Sequence, residues 1–194
     1  MHDKQRPTPY SMQISDRLVA QIFNSCFETS HRTILIGGGK EPIYRPGLDS
    51  SELNKIIYRQ DFYASALHEA AHWCIAGKER RKKPDFGYIY QETRCLKDQI
   101  DFCNLEAKPQ ALESIFHDAI GSDSFTPSLD GIEFQNDSRL VEEFSKIIQL
   151  EKIRYLKRMP PRAKIFAASL IHTKKNEQEK TLLVIYLFKK NYYS

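Results

Sequence analysis

Residues 68–72 read His-Glu-Ala-Ala-His, and the chemistry this chain can do is concentrated there. Two histidines four apart on a helix project from the same face, because 3.6 residues complete a turn. Both imidazoles can therefore reach one metal ion. Glu69, beside His68, is placed to reach a metal-bound water and accept its proton. The pattern also arises by chance, and then marks two satisfied histidines in a buried helix. The setting favours the metal. Ala64, Ala66, Leu67, Ala70, Ala71, Ile75 and Ala76 support a helix, no proline or glycine interrupts it, and Gly77 is placed to end it.

A metal held by two histidines takes a carboxylate, a histidine or a thiolate as its third protein ligand and keeps a position open for water or substrate. Downstream acids within plausible distance are Asp85, Glu92, Asp98, Asp101, Glu106, Glu113 and Asp118. Glu106 is the best placed. It lies 34 residues after His72 in the apolar segment 102–107, where a buried carboxylate needs a cation or a metal as partner. An exposed helical glutamate is the alternative. His117 is a weaker candidate and reads as a helix-face histidine, while His2, His31 and His172 receive no role. Two histidines and a distant glutamate form the ligand shell of zinc peptidases, with Glu69 activating the attacking water. The same set with open positions is also the shell of non-haem iron oxygenases. Ligand chemistry alone leaves both open.

These residues must be held by a folded chain, and the rest of the sequence supplies one. With 194 residues, 41% hydrophobic and 28% charged, it has the make-up of one ordinary globular domain. Residues 15–27 form a helix capped by Ser15, with Leu18, Ile22 and Phe23 at helical spacing. Residues 33–36 and 42–44 read as short strands around Gly37-Gly38-Gly39-Lys40. That run lacks the spacing of a phosphate loop, so it reads as a hairpin turn. Another strand, 55–58, leads into the histidine helix.

Beyond it, residues 85–90 alternate aromatics and suggest a strand. Pro109 is best tolerated as a first helical residue, which places a helix at 109–120 closed by Gly121. Residues 99–107 are also helical in character, and their join to that helix can be continuous, kinked or separate. Residues 122–138 are loop-rich, 140–159 carry a helical period, and Pro160-Pro161 separates that helix from one over 162–171. The apolar run 181–188, Thr-Leu-Leu-Val-Ile-Tyr-Leu-Phe, reads as a buried strand or an appended sticky segment, too short to span a membrane. Together these elements predict an α+β fold, with helices around a small mixed or antiparallel sheet. The histidine helix is expected to pack against that sheet in a zincin-like placement.

The net charge of +4 is unevenly spread. Residues 152–194 hold eleven basic and two acidic side chains, against 18 basic and 23 acidic before them. A basic end on a mildly acidic body suits an acidic partner, protein or nucleic acid, with a solvated surface as the alternative. Cys26, Cys74, Cys95 and Cys103 form no CxxC pair, and the first residues have no signal-peptide character. Reduced thiols and a cytoplasmic location are the expectation.

The stretch 62–88, FYASALHEAAHWCIAGKERRKKPDFGY, followed by Glu106-Ala107-Lys108-Pro109-Gln110-Ala111-Leu112, resembles the elongation factor P hydroxylase family. Residues 41–46, Glu-Pro-Ile-Tyr-Arg-Pro, fit as well. The likeness covers about residues 21–165, and Trp73 and the run 108–112 accompanying the histidine motif make it specific. It implies a bacterial cytoplasmic enzyme that uses dioxygen to hydroxylate a lysine of elongation factor P after that lysine has received a β-lysyl group. It carries over His68, His72 and Glu106 as metal ligands, with iron as Fe2+ favoured over zinc, and Glu69 as the catalytic acid. The acidic factor would be steered in by the basic loop 78–83 and the basic C-terminal region, with no membrane and no direct nucleic-acid partner. No arginine stands out for 2-oxoglutarate. The chain then reads as one metal-dependent hydroxylase domain over 1–194, with a divergent basic extension from about residue 172. A zinc metallopeptidase is the alternative.

Overall fold

A computed structural model describes residues 14–60, 62–87, 95–129, 134 and 137–192, with side chains given up to Lys180 except at 177 and 178. Helix α1 (Asp16–His31) opens on the expected cap, where Ser15 Oγ accepts a hydrogen bond from Leu18 N–H at 3.2 Å. It turns Val19, Ile22, Phe23 and Phe27 inward. Three strands follow, β1 (Thr33–Gly39), β2 (Ile43–Arg45) and β3 (Asn54–Arg59), and then α2 (Tyr63–Ile75), which carries the two histidines. The chain is completed by α3 (Leu96–Ile120), α4 (Ser138–Lys157) and α5 (Pro161–Tyr192). Among the described residues, five α-helices around a small sheet make this an α+β fold.

The sheet is mixed, in the order β1-β3-β2. Leu35 pairs with Ile56 in parallel, and Tyr44 pairs with Ile56 antiparallel. The glycine run is therefore no hairpin, because β3 lies between the strands it joins. Its glycines answer a different need. A Cβ on Gly37 would stand 2.7 Å from the Tyr58 hydroxyl and one on Gly39 2.9 Å from Ile57 Cγ2, so two side chains of β3 occupy the space that larger residues would take. The register shifts between Ile36 and Gly39, where Gly38 has φ +86°, a conformation glycine adopts at little cost.

Helix α2 is made of small residues and enters the core on most of its circumference. Ala66, Leu67, Ala70, Ala71, Trp73 and Cys74 are all buried. Trp73 locks it to α1 and α5, with ring centroids 5.2 Å from Phe23 and 4.8 Å from Phe27. Gly77 is not its cap. The helix ends at Ala76 in an extended conformation, and arginine side chains bind the exposed carbonyls. Arg162 Nη2 donates to the carbonyls of Trp73, Cys74 and Ala76 at 2.9, 3.0 and 2.6 Å, with its guanidinium 4.7 Å from the centre of the Trp73 ring. Arg81 Nη1 also donates to the Ala76 carbonyl. Cations here satisfy orphan acceptors and oppose the negative end of the helix dipole. Arg162→Met is expected to lower unfolding free energy by about 2–4 kcal/mol, since three charge-assisted bonds to half-buried helix-end carbonyls are lost without replacement. Urea denaturation checks this, and a loss under about 0.5 kcal/mol would place Arg162 among ordinary surface residues.

Several sequence expectations change here. Residues 84–87 form a tight 3-10 turn in which Asp85 and Phe86 have φ of 48° and 55°, not the start of a strand, and residues 88–90 of that expectation lie outside the described residues. The turn is held by Tyr44, whose N–H donates to Asp85 Oδ1 at 2.8 Å and whose ring stacks on Phe86 at 4.2 Å. Helix α3 does not begin at Pro109 but runs through it, closing on Gly121 with φ +84°. Pro109 is buried there, so packing outweighs the backbone bond that proline cannot donate. Residues 181–188 continue α5 as helix, not strand. An unbroken apolar run has no period to distinguish the two, and here it extends a helix already under way.

Two apolar clusters hold these elements. The larger joins α1, the sheet, α2, the second half of α3 and α5, and the smaller joins Phe102, Cys103, Ala107 and Ala111 of α3 to Leu129, Phe144 and Ile148. All four cysteines are unbridged. No helix among the described residues is long and apolar enough to cross a membrane.

Candidate metal centre

Helices α2 and α3 face each other, and the polar groups between them come from the turns that meet. His68 and His72, one turn apart on α2, bring their Nε2 atoms to 3.1 Å. Glu106 reaches across from α3, with Oε2 3.5 Å from His68 Nε2 and 3.3 Å from His72 Nε2. The Glu106 side chain is only 5% exposed and that of His72 4%, while His68 is 26% exposed. Glu106 is thus buried, and not the exposed helical glutamate of the alternative reading.

Those three donor atoms could hold a metal ion. Donors about 2.0–2.1 Å from a shared first-row ion stand about 2.8–3.4 Å apart at right or tetrahedral angles, close to the observed edges of 3.1, 3.3 and 3.5 Å. Two imidazole nitrogens and one carboxylate oxygen also suit iron or zinc. Without a cation, a buried carboxylate facing two imidazoles is satisfied only if protons are retained between them.

The triangle lines a cleft of about 560 Å3. Glu69, Asp85, Phe86, Phe102 and Gln110 also line it, with Glu41 and Arg59 toward the outside. Glu69 follows His68 on α2, and its carboxyl is held above the usual carboxylate range. Burial is the main cause, the two imidazoles pull it back, and the Glu106 and Glu113 carboxylates add to the rise. The Phe86 ring lies parallel to His72, 6.4 Å away. Gln110 pins the loop after α3 to this wall. Its Nε2 donates to the Ser128 carbonyl at 2.7 Å and its Oε1 accepts from Ser128 N–H at 2.9 Å.

The remaining acids separate clearly. Asp98 accepts from Cys95 N–H at the start of α3, Asp118 pairs with Lys152 at 2.7 Å, and Asp101 is exposed. Glu92 lies outside the described residues. Glu113 is the one the sequence reading left without a place. Its Oε2 stands 2.8 Å from His68 Nδ1, on the side of the ring turned away from the donor triangle. The signal was the spacing Glu106, Glu113, His117, which recurs at seven and four residues and puts all three on one helical face. His117 is fully buried, with Nδ1 3.1 Å from Ser122 Oγ.

Against known proteins, the model of the elongation factor P hydroxylase family matches residues 22–182. The chain belongs to that family. A curated relative, the elongation factor P lysine hydroxylase of Haemophilus influenzae, is 52% identical over 104 residues, which is 53% of this chain and 58% of that protein. The chain thus spans less than two thirds of that relative's length. The structure gives the sequence marks beside the histidines physical roles: Trp73 anchors the histidine helix in the core, and Gln110 holds the loop at the cleft.

The basic loop 78–83 is partly absorbed by the fold. Arg81 is half-buried on the carbonyl end of α2, and Lys82 pairs with Glu79 at 2.9 Å. Of the basic C-terminal region, Arg162 caps α2 and Lys152 binds Asp118 and Ser114. Lys78 and Lys83 remain exposed.

Proposed function

We propose that this protein is a metal-dependent monooxygenase that hydroxylates the β-lysylated lysine of elongation factor P. His68, His72 and Glu106 are its ligands, and the metal is iron as Fe2+, with zinc the competing occupant. The observation that carries this reading is the convergence of those three donors, 3.1–3.5 Å apart, in the lining of an open cleft in a chain of the hydroxylase family. Bound there, iron would supply the one-electron chemistry by which dioxygen is activated. Family membership favours this over the zinc peptidase, which would use the same ligands.

The protein's own residues do the rest. The cleft admits a long side chain, and Phe86 and Phe102 exclude water from its apolar wall. Glu69, whose carboxyl is raised above the usual carboxylate range by burial, stands beside His68 in the cleft, placed to exchange a proton with the reacting centre through its carboxyl oxygens. Residues 1–194 act as one hydroxylase domain in the cytoplasm, with a basic extension from about residue 172. Elongation factor P, an acidic protein, approaches on the exposed lysines, with no part for nucleic acid.

The product decides. The iron-loaded protein, incubated under air with a reductant and β-lysylated elongation factor P, is expected to add one oxygen atom, about 16 daltons, to the modified lysine, and to add nothing when oxygen is removed. Cleavage of a peptide library by the zinc-loaded protein, without dependence on oxygen and without the mass gain, would reverse the reading.

A further inference from the structure

We infer that Glu113 is a positioning residue for the metal centre: it fixes the ring of His68 so that Nε2 faces the metal, and His117 braces it from behind. The inference rests on the metal reading above and adds to it the group that orients its most exposed ligand. The His72 side chain is buried, at 4% exposure, while that of His68 is 26% exposed and so has less packing to hold its ring. Glu113 Oε2, 2.8 Å from His68 Nδ1, accepts its N–H on the face opposite the donor triangle. A proton fixed on Nδ1 leaves the Nε2 lone pair for the metal.

Glu113 is itself placed rather than mobile. It sits two turns after Glu106 on α3, so one rigid helix delivers both the carboxylate ligand and the carboxylate that aims the histidine. Its side chain is 11% exposed, and its other oxygen lies 3.7 Å from His117 Nε2, a buried atom with no hydrogen-bond partner. His117 Nδ1 is held by Ser122 Oγ, which lies 2.9 Å from both the Tyr63 hydroxyl and Ser124 Oγ. Tyr63 is the first residue of α2. The line His68, Glu113, His117, Ser122, Tyr63 thus ties the start of the ligand helix to the end of α3. Glu113 is not a fourth ligand, because its contact is with the nitrogen turned away from the other donors.

The test loads the full chain with Co2+ and follows two readouts, the visible ligand-field spectrum and the rate of Co2+ release to excess chelator. Release reports on the filled site and not on competition from protons for the empty one. Glu113→Ala is expected to speed release by about 10–100-fold, the usual effect of removing a group that orients a ligand, with a changed spectrum. Glu113→Gln keeps an acceptor oxygen and is expected to fall between that and the native rate, and it decides the matter if the alanine variant does not fold. His117→Ala is expected to give a smaller acceleration than Glu113→Ala, and no change would strike His117 from the role. His72→Ala serves as reference and is expected to hold no Co2+. Native spectrum and release rate in Glu113→Ala and Glu113→Gln, with His72→Ala empty, would overturn the inference and leave the metal site standing. Complete loss in both Glu113 variants would make Glu113 a ligand and overturn it too. Native binding by His72→Ala would bring down the metal reading and the inference with it.

Discussion

Glu106→Ala and His72→Ala are each expected to leave the purified protein without bound metal and without hydroxylation of elongation factor P. The expected loss of affinity exceeds the roughly 10–100-fold typical of groups outside the ligand set. The reason is geometric. The three donors come from two helices, and each edge of their triangle lies between 3.1 and 3.5 Å, and among the described residues no further His, Cys, Asp or Glu joins them in that group. Glu113 also lines the cleft, but its oxygen is engaged at His68 Nδ1. Asp101→Ala and Asp118→Ala are the controls, since the first is exposed and the second pairs with Lys152. Elemental analysis beside circular dichroism, to establish folding, makes the measurement. Full metal content in folded Glu106→Ala would send the search for a third ligand elsewhere.

How far the centre could be read from sequence turns on one residue, Pro109. The histidine pair was legible because a four-residue spacing on an unbroken small-residue helix allows only one arrangement. Glu106 was legible because a lone acid among apolar neighbours must be compensated. Glu113 and His117 lie on the same helical face as Glu106, yet reading Pro109 as a helix start cuts that face in two. The energy that should break an exposed helix there, about 3 kcal/mol, is met by burial on α3. The sheet failed for a comparable reason. Local turn chemistry suggests a hairpin at residues 37–40, but β3 arrives from later in the chain and inserts between the two strands, and only the packed Tyr58 ring explains why glycine stands at 37. Tertiary contacts decided each case, and a single sequence does not display them.

Metal binding at neutral pH is expected to release close to one proton per ion, and affinity is expected to rise about tenfold per pH unit between pH 6 and 8. Burial by itself pushes the His68 imidazolium down. The Glu113 carboxylate, through its charge and its hydrogen bond, overrides that with Glu106 and Glu69 behind it, and holds His68 up at about 10. In the metal-free protein His68 therefore keeps its proton at pH 7, and an incoming ion must displace it. The sign for folding follows from the same shift. A group whose pKa is raised from 6.5 to about 10 stabilises the metal-free fold fully below pH 6.5 and loses that contribution as pH climbs toward 10. Metal thus gains affinity over the pH range in which the metal-free protein loses stability, and the thermal shift on adding metal should widen from pH 6.5 upward. Calorimetric titration with Zn2+ in two buffers of different ionisation enthalpy counts the protons directly. Glu113→Ala removes the main source of the raised pKa, so proton release at pH 8 should shrink toward zero in that variant. A pH-independent affinity in the native protein, with no proton released, would mean that His68 stands neutral before the metal arrives and that its contact with Glu113 carries no charge.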